Sequence, residues 1–436
     1  MRCRLDYGRR GLEIEVPDGV PTMLVEPPGG HPLPDADAAI RSALREPIDS
    51  APLREAARGR SDAVVVISDK TRPVPNGILL PPILETLEAA GIPHDRIEIL
   101  VGTGLHRANT PEELVEMTSA EIVSRYRIRN HVARNAEEHR QLGRTRRGTE
   151  IWIDRGYLDA SLKVVTGYIE PHLMAGYSGG RKGVAPGLAG VETMKSAHGP
   201  AMLEEHIGPG ILTGNPFHED LLEIARRAGV DFLVNVTIDR ARRITGVFAG
   251  DLERAHEEGV RCCEREVHVA LDEGADVVIT SAGGYPLDAT FYQSVKGLIG
   301  ALNVVRRGGT IILAAELSEG IGSREFRELL GGMKDPDEFM GRITSPGFFS
   351  IDQWMVQHLC QVLRKARVIV VSDRVDPETL ARLFVTPAPS VEAALADTLR
   401  ESPIARVAVI PEGPYVLATV RGRRLAIGRA WMEEAA

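Results

Sequence analysis

Cysteine is scarce in this sequence, and its few copies lie far apart or side by side. Of the 436 residues four are cysteines, at positions 3, 262, 263 and 360, and no two of them have the C-x-x-C spacing. An adjacent pair such as Cys262 and Cys263 rarely forms a structural disulfide, and a structural zinc site needs several Cys or His ligands at short spacing. We therefore expect reduced cysteines that serve as packing residues.

Long apolar runs and an excess of positive charge are also missing. No segment approaches the roughly 20 apolar residues of a membrane helix, and the opening residues MRCRLD lack the apolar core of a signal peptide. The formal net charge is −9, and the arginine runs are short. These features predict a cytoplasmic protein that binds neither a membrane nor nucleic acid.

The residues that are present alternate between strand and helix patterns. Short Val- and Ile-rich runs predict strands at 63–68, 97–101, 164–169, 232–238, 277–280, 310–314, 368–371 and 407–410. Helical patterns lie between them at 78–90, 111–118, 220–228, 291–305, 353–365 and 391–399. The alternation predicts an α/β fold of two domains, each with a mostly parallel sheet flanked by helices.

The domain boundary is placed near residue 272, because the last four predicted strands form a self-contained series. This divides the chain into an N-terminal domain at 1–272, a C-terminal α/β domain at 273–412 and a tail at 413–436 that could return to either domain. Residues 2–16 have the pattern of a hairpin whose turn lies at Gly8–Gly11.

Two strand ends in the first half carry unusual polar residues, and ligands of open α/β sheets bind beyond such ends. After the first strand come Asp69, Thr71 and Arg72, and a guanidinium there could hold a carboxylate or phosphate; the alternative is a charged turn. After the second comes Gly102-Thr103-Gly104-Leu105-His106, in which small residues let backbone amides approach a ligand. Arg107 stands where a dinucleotide fingerprint needs its third glycine, and a solvated loop histidine is the alternative for His106.

The stretch from Gly167 to His198 carries the most chemistry. Its loop offers free backbone N–H groups for a phosphate, but Gly183 after Lys182 excludes a Walker P-loop, which needs Ser or Thr there. Lys182 could be an amine nucleophile, since partial desolvation lowers the proton affinity of a lysine; the alternative is a solvated lysine on a turn. His198 suits metal ligation, with the other ligands coming from elsewhere.

In the second half, one face of a predicted helix carries Gln293 and Lys296 at i and i+3. Such a pair could orient an oxyanion or carboxylate, and a capped, solvated helix start is the alternative. Trp354, on a later helix, is predicted to be a core residue with a smaller chance of lining a pocket.

Five motifs, in order over most of the chain, resemble the lactate racemase family of nickel-dependent 2-hydroxy acid racemases and epimerases. Together they are far more specific than any one alone. They are Asp69-x-Thr71-Arg72-Pro73, Gly102-x-Gly104-x-His106, Glu170-Pro171-His172-x-x-x-Gly176-Tyr177-Ser178-Gly179-Gly180-x-Lys182, His198-Gly199-Pro200 and Tyr292-Gln293-x-x-Lys296.

The resemblance implies a tethered cofactor, the nickel-pincer nucleotide, a pyridinium mononucleotide whose sulfur and carbon atoms hold nickel. Lys182 matches the lysine that forms its thioamide tether, and His198 matches the nickel ligand, so that the cofactor supplies the remaining three donors. Further matches lie near the cofactor: Asp69, Thr71, Tyr177, Ser178 and Gly179. Cofactor-biosynthesis proteins are the implied partners for loading.

The resemblance also implies the reaction. His106 and His172 match a pair of acid/base histidines, one for each face of the substrate carbon. Arg72 and Lys296 match residues that hold the substrate carboxylate and oxygen, with Gln293 and Tyr292 beside them. Hydrogen would leave C2 as hydride while one histidine takes the hydroxyl proton, and would return to the other face. The N-terminal domain would then hold the cofactor and the catalytic residues, and the C-terminal domain would complete the substrate site.

Two alternative functions remain open at this point. One is an NAD-linked 2-hydroxy acid oxidoreductase, against which the missing third glycine argues. The other is a non-catalytic protein that binds a hydroxy acid. Arg181 and the Leu173-Met174 pair are residues of this chain that do not belong to the matching motif positions. Side chains of the pocket, such as Trp354, would set the size of the substrate. The resemblance therefore implies a 2-hydroxy acid rather than lactate itself.

Overall fold

The structure is a computed structural model that describes residues 1–203, 206–345 and 347–422. Its strands are β1 (Arg2–Leu5), β2 (Leu12–Glu15), β3 (Thr22–Leu24), β4 (Ala63–Ser68), β5 (Ile97–Gly102), β6 (Arg127–Asn130), β7 (His139–Arg144), β8 (Glu150–Asp154), β9 (Lys163–Tyr168), β10 (Pro171–His172), β11 (Gly176–Tyr177), β12 (Phe232–Ile238), β13 (Ile244–Gly250), β14 (His268–Leu271), β15 (Ala275–Ser281), β16 (Val305–Ala314), β17 (Arg367–Val371), β18 (Thr386–Ala388), β19 (Val407–Ile410) and β20 (Leu417–Val420).

The helices lie between and beside these strands. They are α1 (Ala36–Arg45), α2 (Leu53–Ala56), α3 (Asn76–Ala89), α4 (Pro111–Met117), α5 (Ala120–Arg125), α6 (Arg155–Asp159), α7 (Val191–Ala197), α8 (Pro200–Leu203), α9 (Pro216–Ala228), α10 (Arg254–Val267), α11 (Phe291–Leu302), α12 (Arg324–Gly331), α13 (Pro336–Ile343), α14 (Gln353–Lys365), α15 (Pro377–Ala381) and α16 (Val391–Glu401). Among the residues that the structure describes, no helix is long and apolar enough to cross a membrane.

Two six-stranded sheets organise the chain, which confirms the predicted α/β fold. The first has the order β13-β12-β9-β4-β5-β6, in which only the edge strand β13 pairs antiparallel. The second has the order β18-β17-β16-β15-β19-β3 and is parallel throughout. Each predicted strand and helix is present, with ends that shift by a few residues.

Burial on both faces explains the Val-rich strands. Along β4, Val64 and Val66 pack into one hydrophobic cluster, whereas Val65 and Ile67 pack into another on the opposite face. Successive side chains of a strand point to opposite faces, so a strand covered by helices on both sides needs an unbroken apolar run.

The N-terminal segment belongs with the second sheet rather than the first. The β1–β2 hairpin forms as predicted, and its Leu5 and Ile14 pack against β15 and β19. β3 then pairs in parallel with β19 as an edge strand. The predicted first domain, residues 1–272, therefore includes an N-terminal segment that pairs with the second sheet. Contacts between segments so distant in the chain leave no local pattern in the sequence.

The two ends of the C-terminal half also pair. β20, in the described part of the predicted tail at 413–436, lies parallel to β14, and Arg421 donates its backbone N–H to Leu271. Residues 423–436 of that tail lie outside the described residues.

Gly297 lets helix α11 lie against the end of β15, and this sets the position of the polar residues that precede it. A Cβ atom added at Gly297 would lie 2.3 Å from the carbonyl oxygen of Ser281 and 3.2 Å from Cα of Ala282. Both atoms belong to the backbone, so the helix would have to move.

We therefore expect Gly297→Ala to lower the free energy of unfolding by about 1–3 kcal/mol, as overpacked cores do. The matched control is Gly341→Ala in α13, where nothing lies within 4 Å of the added Cβ atom. There the substitution should be neutral or stabilise by up to about 1 kcal/mol, through helix propensity alone. Urea denaturation measures both, and equal effects of the two substitutions would contradict the packing argument.

Candidate active site

A cleft at the carboxyl ends of β4, β5 and β9 brings the predicted residues together. Its empty volume is about 1060 Å³, and α11 and α14 close it from the other side. Every predicted site residue except Tyr177 lines it: Asp69, Thr71, Arg72, His106, His172, Ser178, Gly179, Lys182, His198, Tyr292, Gln293 and Lys296.

Tyr177 points elsewhere. Its side chain is buried beneath a separate surface pocket lined by Ile211, Leu212 and Val260. It follows Gly176 in β11, and the alternation of side chains along this short strand turns the phenol away from the cleft.

Glycines and one serine shape the loop that leads from β9 to Lys182. Gly176 has a φ of +76°, and a Cβ atom there would lie 2.2 Å from the carbonyl oxygen of Ile211. The Ser178 hydroxyl donates to the Tyr168 carbonyl at 2.8 Å and accepts from the Glu170 N–H at 3.0 Å. In this arrangement Ser178 braces the loop from within. The short 3₁₀ turn at Gly180–Gly183 then presents Lys182.

His106 is held by a buried carboxylate. Its Nδ1 lies 2.6 Å from Oδ2 of Asp69, whose Oδ1 accepts the Thr71 hydroxyl proton at 2.7 Å. Burial alone would raise the pKa of Asp69, but the neighbouring His106 charge and these hydrogen bonds outweigh it and hold the pKa below its ordinary value. Asp69 is therefore an ionised acceptor, and it contacts a histidine at the mouth of the cleft.

Helix α11 completes the surroundings of His106. Thr290 caps the helix by accepting the Gln293 N–H, and the Gln293 side chain lies with Nε2 3.3 Å from Nε2 of His106. The Gln293 Oε1 atom is buried, and within the described part of the chain no donor reaches it.

His172 stands in the short strand β10. Its Nδ1 accepts the backbone N–H groups of Met174 and Ala175, both at 3.2 Å. Burial, followed by the positive charge of Lys182, holds the pKa of His172 well below its ordinary value. The imidazole is therefore neutral.

Cations, most of them half-buried, outnumber carboxylates around the cleft. Arg72 donates to Oε1 of Glu170 at 2.6 Å, and Tyr168 donates its hydroxyl to the other Glu170 oxygen. Burial opposes the charge of Arg72, but Glu170 outweighs it and raises the pKa of Arg72. Lys182 and Lys296 have no carboxylate within ion-pair distance among the described residues.

Arg181 adds a further buried charge behind the loop. Only 1% of its surface is exposed, and it donates to the Ala175 carbonyl at 2.6 Å and lies 3.0 Å from Nε2 of His256. Burial lowers its pKa to about 9, so the guanidinium remains charged at neutral pH. No carboxylate of the described residues pairs with it.

The two lysines are consequently weak bases. Burial holds the pKa of Lys182 well below its ordinary value, and the charges of Arg72 and Arg181 add to this effect. Burial and the Arg72 charge lower the pKa of Lys296 from 10.5 to about 7. A neutral amine is the nucleophilic form of lysine, which suits Lys182 for covalent chemistry.

His198 lies deeper in the cleft, at the end of α7. Its Nδ1 is 3.2 Å from the Met194 carbonyl oxygen, and its ring lies 4.8 Å from that of Trp354 and 5.0 Å from that of Phe217. Burial lowers the pKa of His198 to about 3, which keeps the imidazole neutral, as a metal ligand must be. The described residues contain no group of three or more His, Cys, Asp or Glu side chains that could hold a metal by themselves.

Trp354 serves both of its predicted roles, being 4% exposed and also lining the cleft. Its Nε1 donates to the Tyr292 hydroxyl at 3.2 Å. Sequence reasoning missed Glu170 as the partner of Arg72 and Tyr168 as a second donor to Glu170. The only signal for Glu170 was its place just before Pro171-His172.

The cleft and the fold define a class: an α/β protein in which a cleft between parallel strand ends presents two histidines together with cationic side chains. Models of the lactate racemase N-terminal domain and C-terminal domain match residues 7–208 and 271–418. Lactate racemase of Thermoanaerobacterium thermosaccharolyticum is 34% identical over 423 residues, which cover 95% of this chain and 98% of that protein. The chain belongs to the lactate racemase family.

Further relatives agree with this assignment. Lactate racemase of Lactiplantibacillus plantarum is 38% identical over 383 residues, covering 87% of this chain and 90% of that protein. The solved lactate racemase apoprotein of T. thermosaccharolyticum superimposes with a TM-score of 0.86 at 32% identity, over 96% of this chain and 100% of that chain. A Thermotoga maritima protein of 17% identity shares the fold alone, with a TM-score of 0.71 over 90% of this chain and 100% of that one.

The low pKa of Lys182 predicts selective acylation. We expect cyanate to carbamylate Lys182 at neutral pH faster than the exposed Lys334, since only the neutral amine reacts. Arg181→Met should shift the pH of half-maximal reactivity of Lys182 upward, because one nearby positive charge is removed. Peptide mass spectrometry across a pH series measures both, and a Lys182 that reacts like Lys334 would contradict the assignment.

Lys296 predicts a pH-dependent stability of a definite sign. Between pH 7 and 10.5 the unfolded chain binds a proton at Lys296 that the folded chain does not, so stability rises with pH across this window. Lys296→Met should remove a slope of up to roughly 1.4 kcal/mol per pH unit. Urea denaturation at several pH values measures it, with Lys334→Met as the control. Parallel curves for the wild-type protein and Lys296→Met would contradict the lowered pKa.

Proposed function

We propose that this protein racemises or epimerises a small 2-hydroxy acid with the help of a lysine-tethered nickel-pincer nucleotide. The observation that carries the proposal is the meeting of His106 and His172 in one cleft with the cationic pair of Arg72 and Lys296. The relatives named lactate racemase support the substrate class.

The residues in the cleft fit the cofactor. Burial holds the pKa of Lys182 well below its ordinary value, and no carboxylate of the described residues lies within ion-pair distance of it, which favours the amine form that a thioamide tether requires. His198 provides one neutral ring nitrogen that can bind a metal. The described residues contain no cluster of further protein ligands. A nickel ion that takes three donors from its own nucleotide needs only one ligand from the protein. Arg72 and Lys296 line the same cleft and the charged Arg181 lies behind its loop, which suits an anionic nucleotide.

The residues that would hold the cofactor are therefore Lys182 as the tether and His198 as the nickel ligand, with Thr71 and Gly179 beside them. When bound, the group supplies an acceptor for the hydrogen that leaves the substrate carbon as hydride. This matters because the C2–H bond of a 2-hydroxy acid is too weakly acidic for simple deprotonation at neutral pH.

The chain itself binds and orients the substrate. Arg72 keeps one side on Glu170, and its remaining N–H groups, together with Lys296, can hold the substrate carboxylate. With a pKa of about 7, Lys296 can also donate to the hydroxyl oxygen or take a proton back from it. With the carboxylate fixed, the rest of the acid, C2 with its oxygen and side chain, can turn about the C1–C2 bond so that hydrogen returns to the opposite face.

Proton transfer then falls to the histidines. His106, supported by the ionised Asp69, can accept the hydroxyl proton, because Asp69 stabilises the imidazolium that results. His172 reaches the same cleft from β10 and serves the opposite face. Trp354, Tyr292 and Met355 form an apolar wall that limits both water access and substrate size. Loading requires partner proteins that build the nucleotide.

The decisive experiment is a panel of single-enantiomer hydroxy acids, from lactate and malate to phenyllactate and sugar acids, given to cofactor-loaded protein and analysed by chiral chromatography. We expect inversion of at least one acid. His106→Gln and His172→Gln should each lower kcat by about 10²–10⁴, the usual range for a lost acid/base group. The exposed His94→Gln is the control.

Three results would contradict the proposal. Inversion of no acid by loaded protein would reject racemisation. Net formation of a keto acid that depends on added NAD would favour the oxidoreductase. Binding of a hydroxy acid that is unchanged in both histidine variants, without turnover, would favour a binding protein.

A further inference from the structure

The two histidines of the cleft are held by opposite kinds of hydrogen-bond partner. His106 has a carboxylate at its Nδ1 atom, whereas His172 has two backbone amides at the same ring position. A carboxylate only accepts and an amide N–H only donates. The partners therefore decide which nitrogen of each ring carries the proton.

At His106 the acceptor is Asp69. Its carboxylate is buried, its other oxygen already accepts the Thr71 hydroxyl, and its Oδ2 lies 2.6 Å from Nδ1 of His106. The ring must donate from Nδ1, so that in its neutral form the lone pair is on Nε2. The Gln293 amide nitrogen, 3.3 Å from Nε2, is a donor that suits this lone pair.

At His172 the arrangement is reversed. The N–H groups of Met174 and Ala175 converge on Nδ1, so this nitrogen carries the lone pair and the neutral ring carries its proton on Nε2. Both donors belong to the backbone of the tight β10–β11 turn, whose closing Gly176 leaves no room for a side chain. No side-chain rotation can withdraw them.

We propose that the substrate-free protein holds its two histidines in opposite tautomers, His106 as a proton acceptor and His172 as an N–H donor, and that Asp69 is the positioning residue that sets the first of these. The inference rests on the proposed function for its catalytic meaning, since it concerns the two acid/base residues of that reaction. It changes the role of Asp69 from a residue near the cofactor to one that orients a histidine.

This arrangement makes the two faces of the substrate unequal. An acid whose hydroxyl faces His106 meets a lone pair and can pass its proton to Nε2, with the imidazolium balanced by Asp69. Its mirror image meets the N–H of His172 and is only hydrogen-bonded there. His172 can accept a proton at Nε2 only as the other neutral tautomer, with its ring proton on Nδ1, and a proton on Nδ1 breaks both amide contacts.

Nitrogen NMR of the cofactor-free protein labelled with ¹⁵N-histidine tests the inference directly, because protonated and unprotonated ring nitrogens have well-separated shifts. His106→Gln and His172→Gln assign the signals. We expect His106 protonated at Nδ1 and unprotonated at Nε2, and His172 the reverse. The same tautomer at both residues, or protonation of His106 at Nε2 alone, would overturn the proposal.

Asp69→Asn tests the positioning role. With the Thr71 hydroxyl on the amide oxygen, the new amide nitrogen faces Nδ1 of His106 and donates to it, so the His106 tautomer should invert while the His172 signals stay in place. The control Thr71→Val keeps the carboxylate and should keep the tautomer. In serine proteases the corresponding exchange lowers kcat by about 10⁴ through the wrong tautomer, and we expect a loss of that order in loaded protein.

The outcomes separate the two claims. Unchanged His106 signals in folded Asp69→Asn would overturn the role of Asp69, and if that variant does not fold, the wild-type spectrum still decides the tautomers. Loaded protein that inverts a hydroxy acid with other tautomers refutes this inference alone. Opposite tautomers in a protein that inverts no acid refute the proposed function and leave the tautomer assignment standing.

Discussion

The burial of more positive than negative charge at one edge of the two sheets is the constraint on which the site depends. Arg72, Lys182 and Lys296 line the cleft and Arg181 lies behind its loop, while Glu170 is the carboxylate that pairs with Arg72. A buried charge without a partner is unfavourable, and the protein responds by weakening the basicity of Lys182 and Lys296. The same imbalance favours an anionic ligand in the proposed function, and the lowered pKa of Lys182 favours its nucleophilic amine form.

The fold places the polar residues of the cleft on separate elements that face each other. Loops after β4 and β5 carry Asp69 and His106, whereas the β10–β11 turn carries His172 and leads into the glycine loop with Lys182. Helix α11, placed by the close approach of Gly297 to β15, brings Gln293 and Lys296 from the other half of the chain. The cleft therefore presents one histidine from the loop after β5 and the other from the β10–β11 turn.

The sequence predicted the strands, the helices and the strand-end loops, because apolar periodicity and turn residues are local signals. The resemblance named thirteen site residues, and in the structure twelve of them line one cleft. The sequence could not predict that β3 pairs with β19, since edge pairing between distant segments has no local signature. Nor could it predict that Glu170 pairs with Arg72, that Asp69 contacts His106, or that Tyr177 faces away, because these depend on side-chain directions across separate elements.

The central claim is that Lys182 anchors the cofactor on which catalysis depends, and the mass of the peptide that carries Lys182 tests it most directly. In protein that inverts a hydroxy acid, this account predicts a covalent mass increase on Lys182 and one nickel per chain, both lost in Lys182→Ala. Full inverting activity from protein whose Lys182 is unmodified and which contains no nickel would contradict it.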